Sequence, residues 1–219
     1  MSVGAESAGP SASETHELDV VTVLDFVLGF LVLVFLTPLM GALALAVHLS
    51  DGGPTLFAHE RLGRGGRTFR CLKFRSMAVD ADERLRRLLA ADPRARAEWA
   101  ATHKLRNDPR VTPLGRFLRK SSLDELPQLI NVLRGEMSLV GPRPIVGAEI
   151  SRYGHRFSDY CAVRPGITGL WQISGRSDVD YRRRVAMDVV YARRRPRTGL
   201  YLYILVMTAP AVLLRRGAY

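Results

Sequence analysis

The sequence predicts a mixed α/β protein that is mainly helical and associates with a membrane. Three observations lead to this fold class: a long apolar segment at 20–49, an alternating pattern around a glycine-rich turn at 55–77, and helical patterns over much of the rest. We expect three parts along the chain, namely a disordered tail at 1–17, a membrane anchor at 18–50 and a body at 51–219.

Charge is distributed unevenly along the 219 residues. Residues 1–60 contain seven acidic residues and no Lys or Arg, whereas residues 61–219 contain all 32 basic residues against 14 acidic ones. Such a basic body suits an anionic membrane surface, anionic substrates or nucleic acid, although an ordinary solvated surface has the same composition. Cys71 and Cys161 lack metal-ligand spacing and fit reduced cytosolic thiols, which argues against a disulfide scaffold.

The apolar segment, VVTVLDFVLGFLVLVFLTPLMGALALAVHL, has two strongly polar side chains, Asp25 and His48. About 20 apolar residues suffice to cross a bilayer, so a single span is the simplest interpretation. Pro38 follows Thr37 near the middle, and a helix broken there could return to the side that it entered. The acidic flank before the segment and the basic flank after it favour a span instead. Both paths place the body in the cytoplasm.

A β-hairpin is predicted next, with Thr68–Phe74 as its second strand. The Gly-x-Gly-Gly sequence at 63–66 fits an ordinary hairpin turn better than a phosphate-binding loop. Residues 79–105 are charged and rich in Ala and Leu, so they predict one or two surface helices interrupted at Pro93.

Two helices are predicted near the end of the chain. Residues 181–197 predict a basic helix, with arginine clusters that suit lipid headgroups. The apolar stretch at 200–214 is short for a span and is flanked by arginines, which favours an interfacial helix over a buried core helix.

The most informative segment lies at 121–144, SSLDELPQLINVLRGEMSLVGPRP. It places Asp124 and Glu125 after a basic pair at 119–120 and before a rigid turn that contains Arg143. An Asp can attack phosphorus, a Glu can hold a divalent cation, and an Arg can neutralise phosphate oxygens. The pattern therefore indicates phosphate chemistry at a membrane. Taken alone, Arg143 fits an exposed surface turn equally well.

The same spacing also permits a structural role for the acidic pair. Ser122-x-x-Glu125 matches a capping box at the start of a helix that ends near Gly135. Pro127 would lie too deep in a helix capped at Ser122, which favours a start at Asp124. Either start places the pair near a helix N-terminus, whose dipole should keep Asp124 ionised at neutral pH.

Several motifs occur together: HERLGRGGRTFRCLKFRSM, NDPRVTPLGRFLRKSSLDELPQLINVLRGEMSLVGPRP, RPGITGLWQISGR and the terminal RRGAY. In this order they resemble the bacterial sugar transferases, the monotopic phosphoglycosyl transferases, over residues 20–219 and in the small form of that family. The resemblance implies transfer of a sugar-1-phosphate from a nucleotide-diphosphate sugar, usually a UDP-sugar, to polyprenyl (undecaprenyl) phosphate, with release of UMP. It also implies a covalent phospho-aspartyl intermediate, Mg²⁺ and a role in initiating glycan assembly.

The resemblance also implies roles for individual residues. Asp124 matches the family nucleophile, Glu125 matches the residue implicated in Mg²⁺ binding, and the metal is expected at this pair. Arg119 matches an arginine just upstream that belongs to the catalytic group. The anionic groups of the donor are expected to bind four further residues, namely Lys73 and Arg75 in KFRSM, Arg143 in GPRP and Arg176 in SGR.

The family anchor is a re-entrant helix broken at a Ser-Pro pair, which Thr37-Pro38 matches here. The resemblance thus favours the re-entrant path, with the body on the cytoplasmic face of the bacterial inner membrane. The entry ELDVVTVLDF, which contains Asp25, lacks the basic residues that the family usually has there.

Other functions fit parts of the sequence. A membrane-tethered binding or scaffold protein would use the basic body for anionic lipid or nucleic acid, but it would have no use for Asp124 and Glu125. A phosphatase that uses a phospho-aspartate is possible from spacing alone, but Asp124 lacks the second Asp, two residues on, of a DxD-type pair. The sugar transferase interpretation predicts no nucleic acid partner. The sequence does not identify the sugar, the glycan pathway or the oligomeric state, for which a homodimer is one option. Recognition of the sugar is expected in loops such as 145–160.

Overall fold

The computed structural model describes residues 12–102, 105–175, 179–194 and 198–213 of the chain. Over these residues the protein is mainly helical, with one antiparallel hairpin, one short parallel strand pair and a long apolar N-terminal helix. The mainly helical composition and the small hairpin are therefore confirmed, whereas the membrane association remains a prediction.

The first helix, α1 (Ala12–Asp51), is long and apolar enough to cross a membrane by length and composition. It begins inside the segment predicted to be a tail. The helix is continuous through Pro38, so the predicted division into two helices at Thr37 and Pro38 is not seen. Proline removes one hydrogen bond from the helix, which continues across it in spite of that loss. The re-entrant path through the membrane stays a prediction.

One stripe of α1 packs against the body. Val21, Asp25, Gly29, Leu43 and Val47 are buried, at the spacing of three to four residues and its multiples that aligns side chains on one helix face. The remaining faces expose large apolar side chains, among them Phe26, Phe30, Leu31, Phe35, Leu45 and Leu49. An exposed apolar surface of this extent is typical of a protein that contacts lipid or a partner.

The hairpin consists of β1 (Leu56–Leu62) and β2 (Thr68–Phe74), which pair antiparallel as predicted. A short 3-10 turn at Arg64–Gly66 joins them. Gly65 and Gly66 have φ values of 69° and 72°, in the left-handed region that favours glycine. The glycine-rich sequence here is explained by the turn.

The two predicted surface helices are α2 (Ala81–Ala91) and α3 (Pro93–Thr102), and Pro93 begins the second one. Next comes α4 (Pro113–Ser121), which Thr112 caps through a hydrogen bond from the Gly115 N–H at 2.9 Å.

The following helix, α5 (Gln128–Leu133), begins later than predicted, after Pro127. It ends where expected, because Gly135 follows it with a φ of 73°.

The remaining described elements include a small parallel strand pair, β3 (Ser138–Val140) with β4 (Gly166–Thr168). The helices in this part are α6 (Ile150–Tyr153), α7 (Phe157–Cys161), α8 (Leu170–Ile173), α9 (Tyr181–Arg193) and α10 (Thr198–Leu213). In α10, Tyr201 and Ile204 are fully buried while Tyr203 and Val206 are exposed. This apolar helix therefore packs one face on the body and leaves the other uncovered.

The packing of α1 supports both sides of the acidic pair. One buried cluster joins Val21 of α1 to Val132 of α5, together with residues of β3 and α10. A separate cluster joins Leu43 and Val47 of α1 to Leu118 of α4 and to Phe74 of β2. Because the acidic pair lies between α4 and α5, the long helix holds both elements that position it.

Candidate active site

Asp124 and Glu125 lie on a 3-10 turn, Leu123–Glu125, between α4 and α5. Ser122 precedes it in the left-handed conformation, with φ 58° and ψ 15°, and reverses the chain at the end of α4. The side chain of Ser122 makes no cap hydrogen bond. The capping-box interpretation is therefore wrong, since a left-handed Ser122 does not enter a helix in the extended conformation of an N-cap.

Glu125 instead joins a cluster of charges from three elements. Its Oε1 lies 2.5 Å from Lys73 Nζ of β2 and 3.9 Å from Arg143 Nη1 of the GPRP turn. Burial disfavours the charged form, but the charges of Lys73 and Arg143 and the hydrogen bond from Lys73 outweigh it and lower the pKa of Glu125. Glu125 is thus held as a carboxylate in a basic pocket.

Asp124 is buried, with an exposed fraction of 8%. Burial raises the pKa of Asp124, and the neighbouring charge of Glu125 raises it further, while Lys73 and Arg119 lower it in part. The net shift is upward, which is opposite to the expectation from a helix dipole. The dipole argument fails because α5 begins only at Gln128, so Asp124 lies on a short turn before it.

The predicted arginines are placed differently from one another. Arg119 lies close enough to lower the pKa of Asp124, and its Nε donates to Ser76 Oγ at 2.8 Å. Arg75 forms an ion pair with Asp51 at the end of α1 and does not line the pocket around Glu125. In this structure Arg75 therefore connects the end of α1 to the segment that follows β2. Arg176 lies outside the described residues.

The GPRP turn is fixed by close backbone packing. A Cβ on Gly166 would lie 2.0 Å from the Gly141 nitrogen, and a Cβ on Gly141 would lie 2.5 Å from the Arg164 carbonyl oxygen. Gly141 and Gly166 thus allow the segment after β3 to touch the start of β4. Two backbone hydrogen bonds complete the contact, Gly141 N–H to Thr168 O and Gly166 N–H to Pro142 O, both at 2.8 Å.

Two buried tyrosines hold the turn from outside. Tyr191 of α9 donates to the carbonyl of Val140 at 2.9 Å, just before the turn. Tyr160 of α7 donates to the carbonyl of Leu62 at 2.7 Å and accepts from the N–H of Ile145, just after the turn, at 3.3 Å. Arg143 is therefore presented by a segment fixed at both ends, which limits the entropy lost when it binds an anion.

The pocket beside Glu125 also contains residues that the sequence analysis did not single out. Its lining includes Lys73, Glu125 and Arg143, and adds Arg61, Gln128 and Gln172. Arg61 lies in the HERLGRGGR motif and Gln128 in DELPQL, so both were in informative segments. Neither residue has a spacing in the sequence that would mark it as part of a site. Only the fold brings β1, α5 and α8 together at one pocket.

The two carboxylates of the site suit Mg²⁺ as part of a coordination shell that a substrate completes. Among the described residues no group of three or more His, Cys, Asp or Glu side chains converges on one point. Mg²⁺ is commonly held by one or two carboxylates together with substrate phosphates and water. Asp124 and Glu125 fit this mode, in which the phosphates of a bound substrate complete the coordination of the metal. The pair alone does not form a complete set of protein ligands.

Comparison with known proteins identifies the family. The family model described as bacterial sugar transferase matches residues 17–215. The chain is 52% identical over 197 residues to the undecaprenyl-phosphate galactose phosphotransferase of Salmonella typhimurium, covering 89% of this chain and 40% of that protein. It is 48% identical over 195 residues to the exopolysaccharide production protein ExoY of Sinorhizobium fredii, covering 89% of this chain and 86% of that protein.

A third relative is the UDP-glucose:undecaprenyl-phosphate glucose-1-phosphate transferase of Escherichia coli, which is 41% identical over 177 residues, 77% of this chain and 35% of that protein. The chain spans about two fifths of the length of the Salmonella relative and most of ExoY. The family match covers nearly the whole chain and includes both carboxylates of the site. The chain belongs to the bacterial sugar transferase family.

Proposed function

We propose that this protein transfers a sugar-1-phosphate from a nucleotide-diphosphate sugar to a polyprenyl phosphate, and so begins the assembly of a glycan. The donor is a UDP-sugar and the acceptor is undecaprenyl phosphate. The names of the Salmonella and Escherichia coli relatives, which specify undecaprenyl phosphate with galactose or glucose, support this choice of substrates.

The observation that carries the proposal is the arrangement around the acidic turn. Asp124 lies beside Glu125, Glu125 contacts Lys73 at 2.5 Å, and Arg143 approaches the same carboxylate at 3.9 Å. Two anions held among converging cations suit the transfer of a phosphoryl group, because attack on a phosphate must overcome repulsion between like charges.

The chemistry has two steps. A carboxylate oxygen of Asp124 attacks the β-phosphorus of the donor, the bond from that phosphorus to the bridging oxygen breaks, and UMP leaves with both bonding electrons. A phosphate oxygen of the lipid then attacks the same phosphorus, which releases Asp124 and forms the polyprenyl diphosphate sugar. Mg²⁺ bound at Asp124 and Glu125 would neutralise charge on the diphosphate.

The contacts of α1 support a membrane location with both ends of the anchor on one side. Asp25 accepts hydrogen bonds from Ser138 Oγ and the Leu139 N–H, whereas Asp51 at the other end pairs with Arg75. A straight helix between these positions would span about 39 Å. If α1 spanned the bilayer, Asp25 and Asp51 would lie on opposite sides, and one of them could not keep its polar contacts with the body. Leaving those polar groups without partners in the bilayer is unfavourable. The basic composition of the body indicates the cytoplasmic side.

The test is nucleotide release from purified protein in nanodiscs with undecaprenyl phosphate, Mg²⁺ and either UDP-galactose or UDP-glucose. We expect UMP release that depends on the lipid. Asp124→Asn should abolish it, and Glu125→Gln should reduce it by a hundredfold or more, on the order seen when one transition-state contact is lost. Asp80→Asn is the matched control, because Asp80 pairs with Arg84 and does not line the pocket, and it should retain activity.

Lipid-dependent release by Asp124→Asn at the normal rate would overturn the nucleophile assignment. If folded wild-type protein released UMP from neither sugar, a different donor would be required. Salt-sensitive binding to anionic vesicles without any transfer would favour the membrane-tethered binding protein instead.

A further inference from the structure

The chain contains two glutamines, Gln128 and Gln172, and both line the pocket beside Glu125. They belong to different elements, α5 and α8, so their meeting results from the fold. Their uncharged amides contrast with the three cations of the same lining, Arg61, Lys73 and Arg143.

The amide of Gln172 is oriented by a hydrogen bond. Its Nε2 donates to the carbonyl of Ile167 at 2.9 Å, which fixes the amide so that Oε1 is the free acceptor. This oxygen is buried and has no hydrogen-bond partner among the residues that the structure describes. A buried acceptor without a partner costs free energy, so its retention at a pocket indicates that a ligand supplies the donor.

Gln128 shows a related feature. Its exposed fraction is 2%, and its side chain makes no hydrogen bond to another described residue. It lies four positions after Asp124, at the first residue of α5. A second amide is therefore held at the pocket wall with its hydrogen-bonding capacity unused.

The chemistry of an amide carbonyl narrows the ligand group. Phosphate oxygens are acceptors, so Gln172 Oε1 cannot bond them, whereas Arg61, Lys73 and Arg143 can. An N–H or O–H group is required, and a nucleotide sugar offers both, in the imide of its base and in the hydroxyls of its sugars. The pocket is thus divided into a cationic side for the diphosphate and a neutral side for the rest of the donor.

We infer that Gln172, assisted by Gln128, binds the neutral part of the nucleotide sugar by accepting a hydrogen bond from an N–H or O–H group. This inference rests on the proposed function for the identity of the ligand. It assigns Gln172 a role in donor binding and leaves the charge stabilisation to the basic residues.

The test measures binding without chemistry. The parent is full-length Asp124→Asn protein in nanodiscs with Mg²⁺, and the variant adds Gln172→Met, which has a similar length and no carbonyl. Dissociation constants are measured by titration calorimetry for UDP-galactose, UDP-glucose, UMP and inorganic pyrophosphate. We expect the variant to bind at least one of the two UDP-sugars about tenfold more weakly, since a site built to hydrogen-bond a ligand loses at least this much without the bond. Pyrophosphate binding should be unchanged.

UMP distinguishes the two sources of the hydrogen-bond donor. If UMP binding weakens by the same factor as UDP-sugar binding, the group lies on the nucleoside; if UMP binding is unchanged, it lies on the transferred sugar. Ser174→Ala, on the residue that follows α8 and outside the pocket lining, should bind every ligand like the parent. Gln172→Asn, which keeps an amide but withdraws its oxygen, gives a second variant in case Gln172→Met does not fold.

Three results would overturn the inference. UDP-sugar binding within twofold of the parent would show that Gln172 makes no contact, and an equal loss of pyrophosphate binding would show a general collapse of the pocket. A shift in the Mg²⁺ requirement alone would place Gln172 at the metal. If the parent binds UDP-sugars and the variant does not, while wild-type protein shows no lipid-dependent transfer, the inference stands and the proposed function fails.

Discussion

At the scale of the residue, Asp124 combines burial with a proposed role that requires an anion. Only its carboxylate can attack phosphorus, yet burial raises its pKa above the ordinary value for Asp. Lys73 and Arg119 offset part of this shift. The same lysine that contacts Glu125 at 2.5 Å therefore also helps to keep the proposed nucleophile charged.

This coupling predicts a pH dependence. The rate of UMP release should fall as the pH decreases toward the raised pKa of Asp124, because protonation removes the nucleophile. Lys73→Met removes a charge that lowers this pKa, so the acidic limb of the profile should move to higher pH in addition to any loss of maximal rate. Single-turnover UMP release between pH 4.5 and 8 measures both effects.

Lys120→Met provides the comparison for Lys73→Met. It removes an exposed lysine from α4 that is not among the main causes of the raised pKa of Asp124. Its profile should overlay that of the wild type. An acidic limb that stays in place in Lys73→Met would show that this lysine does not control the ionisation of the nucleophile.

At the scale of the element, the GPRP turn depends on the contact between Gly141 and Gly166. Gly166→Ala would place a Cβ 2.0 Å from a backbone nitrogen, and a backbone atom cannot move aside cheaply. We expect a loss of about 1–3 kcal/mol in the free energy of unfolding, as for other overpacked sites, together with a loss of transfer as Arg143 shifts. Unfolding in detergent measures the loss of stability, and the UMP assay measures the loss of transfer.

Gly199→Ala, in α10, is the matched substitution, because a Cβ there meets nothing within 4 Å. Its stability and activity should equal those of the wild type. A Gly166→Ala protein with unchanged stability and activity would mean that the two loops can separate without cost, and the rigid presentation of Arg143 would then have to be abandoned.

The elements that the sequence predicted are those with a local signal. The alternating residues of Thr68–Phe74 and the glycines of the turn specify the hairpin, and Pro93 specifies the boundary between α2 and α3. The three-residue strands β3 and β4 carry no such period, and they pair beside the close approach of Gly141 and Gly166, which are far apart in sequence. Long-range contacts of this kind leave little trace in one sequence.

The candidate site also has features that the sequence predicted and features that only the fold reveals. Asp124, Glu125 and Arg143 were identified from their residue types and order, and the structure brings Glu125, Arg143 and Lys73 together. The burial of Asp124 was not predicted, because its turn packs against α4 and β2 only in the folded chain. The pairing of Arg75 with Asp51 was not predicted either, because it depends on where α1 ends. The amides at the pocket wall escaped notice, since a glutamine has no characteristic spacing.

At the scale of the whole molecule, α1 is both the proposed anchor and a support for the site. Its N-terminal half contacts α5 and its C-terminal half contacts α4, the two elements that flank the acidic turn. Extraction of this helix from its environment should therefore disturb catalysis, and not only location. The same double contact predicts that both halves lie on the side of the membrane where the body lies.

This requirement can be tested by labelling single cysteines with an impermeant maleimide. In a background with Cys71→Ser and Cys161→Ser, one variant carries Ser11→Cys before the anchor and another carries Ser151→Cys on the exposed surface of α6. We expect neither to be labelled in intact cells and both to be labelled after permeabilisation, because both positions should face the cytoplasm. Retained UMP release would verify that each variant is folded. Labelling of Ser11→Cys alone from outside would mean that α1 spans the membrane, and that its contacts with the body along the N-terminal half do not persist in the bilayer.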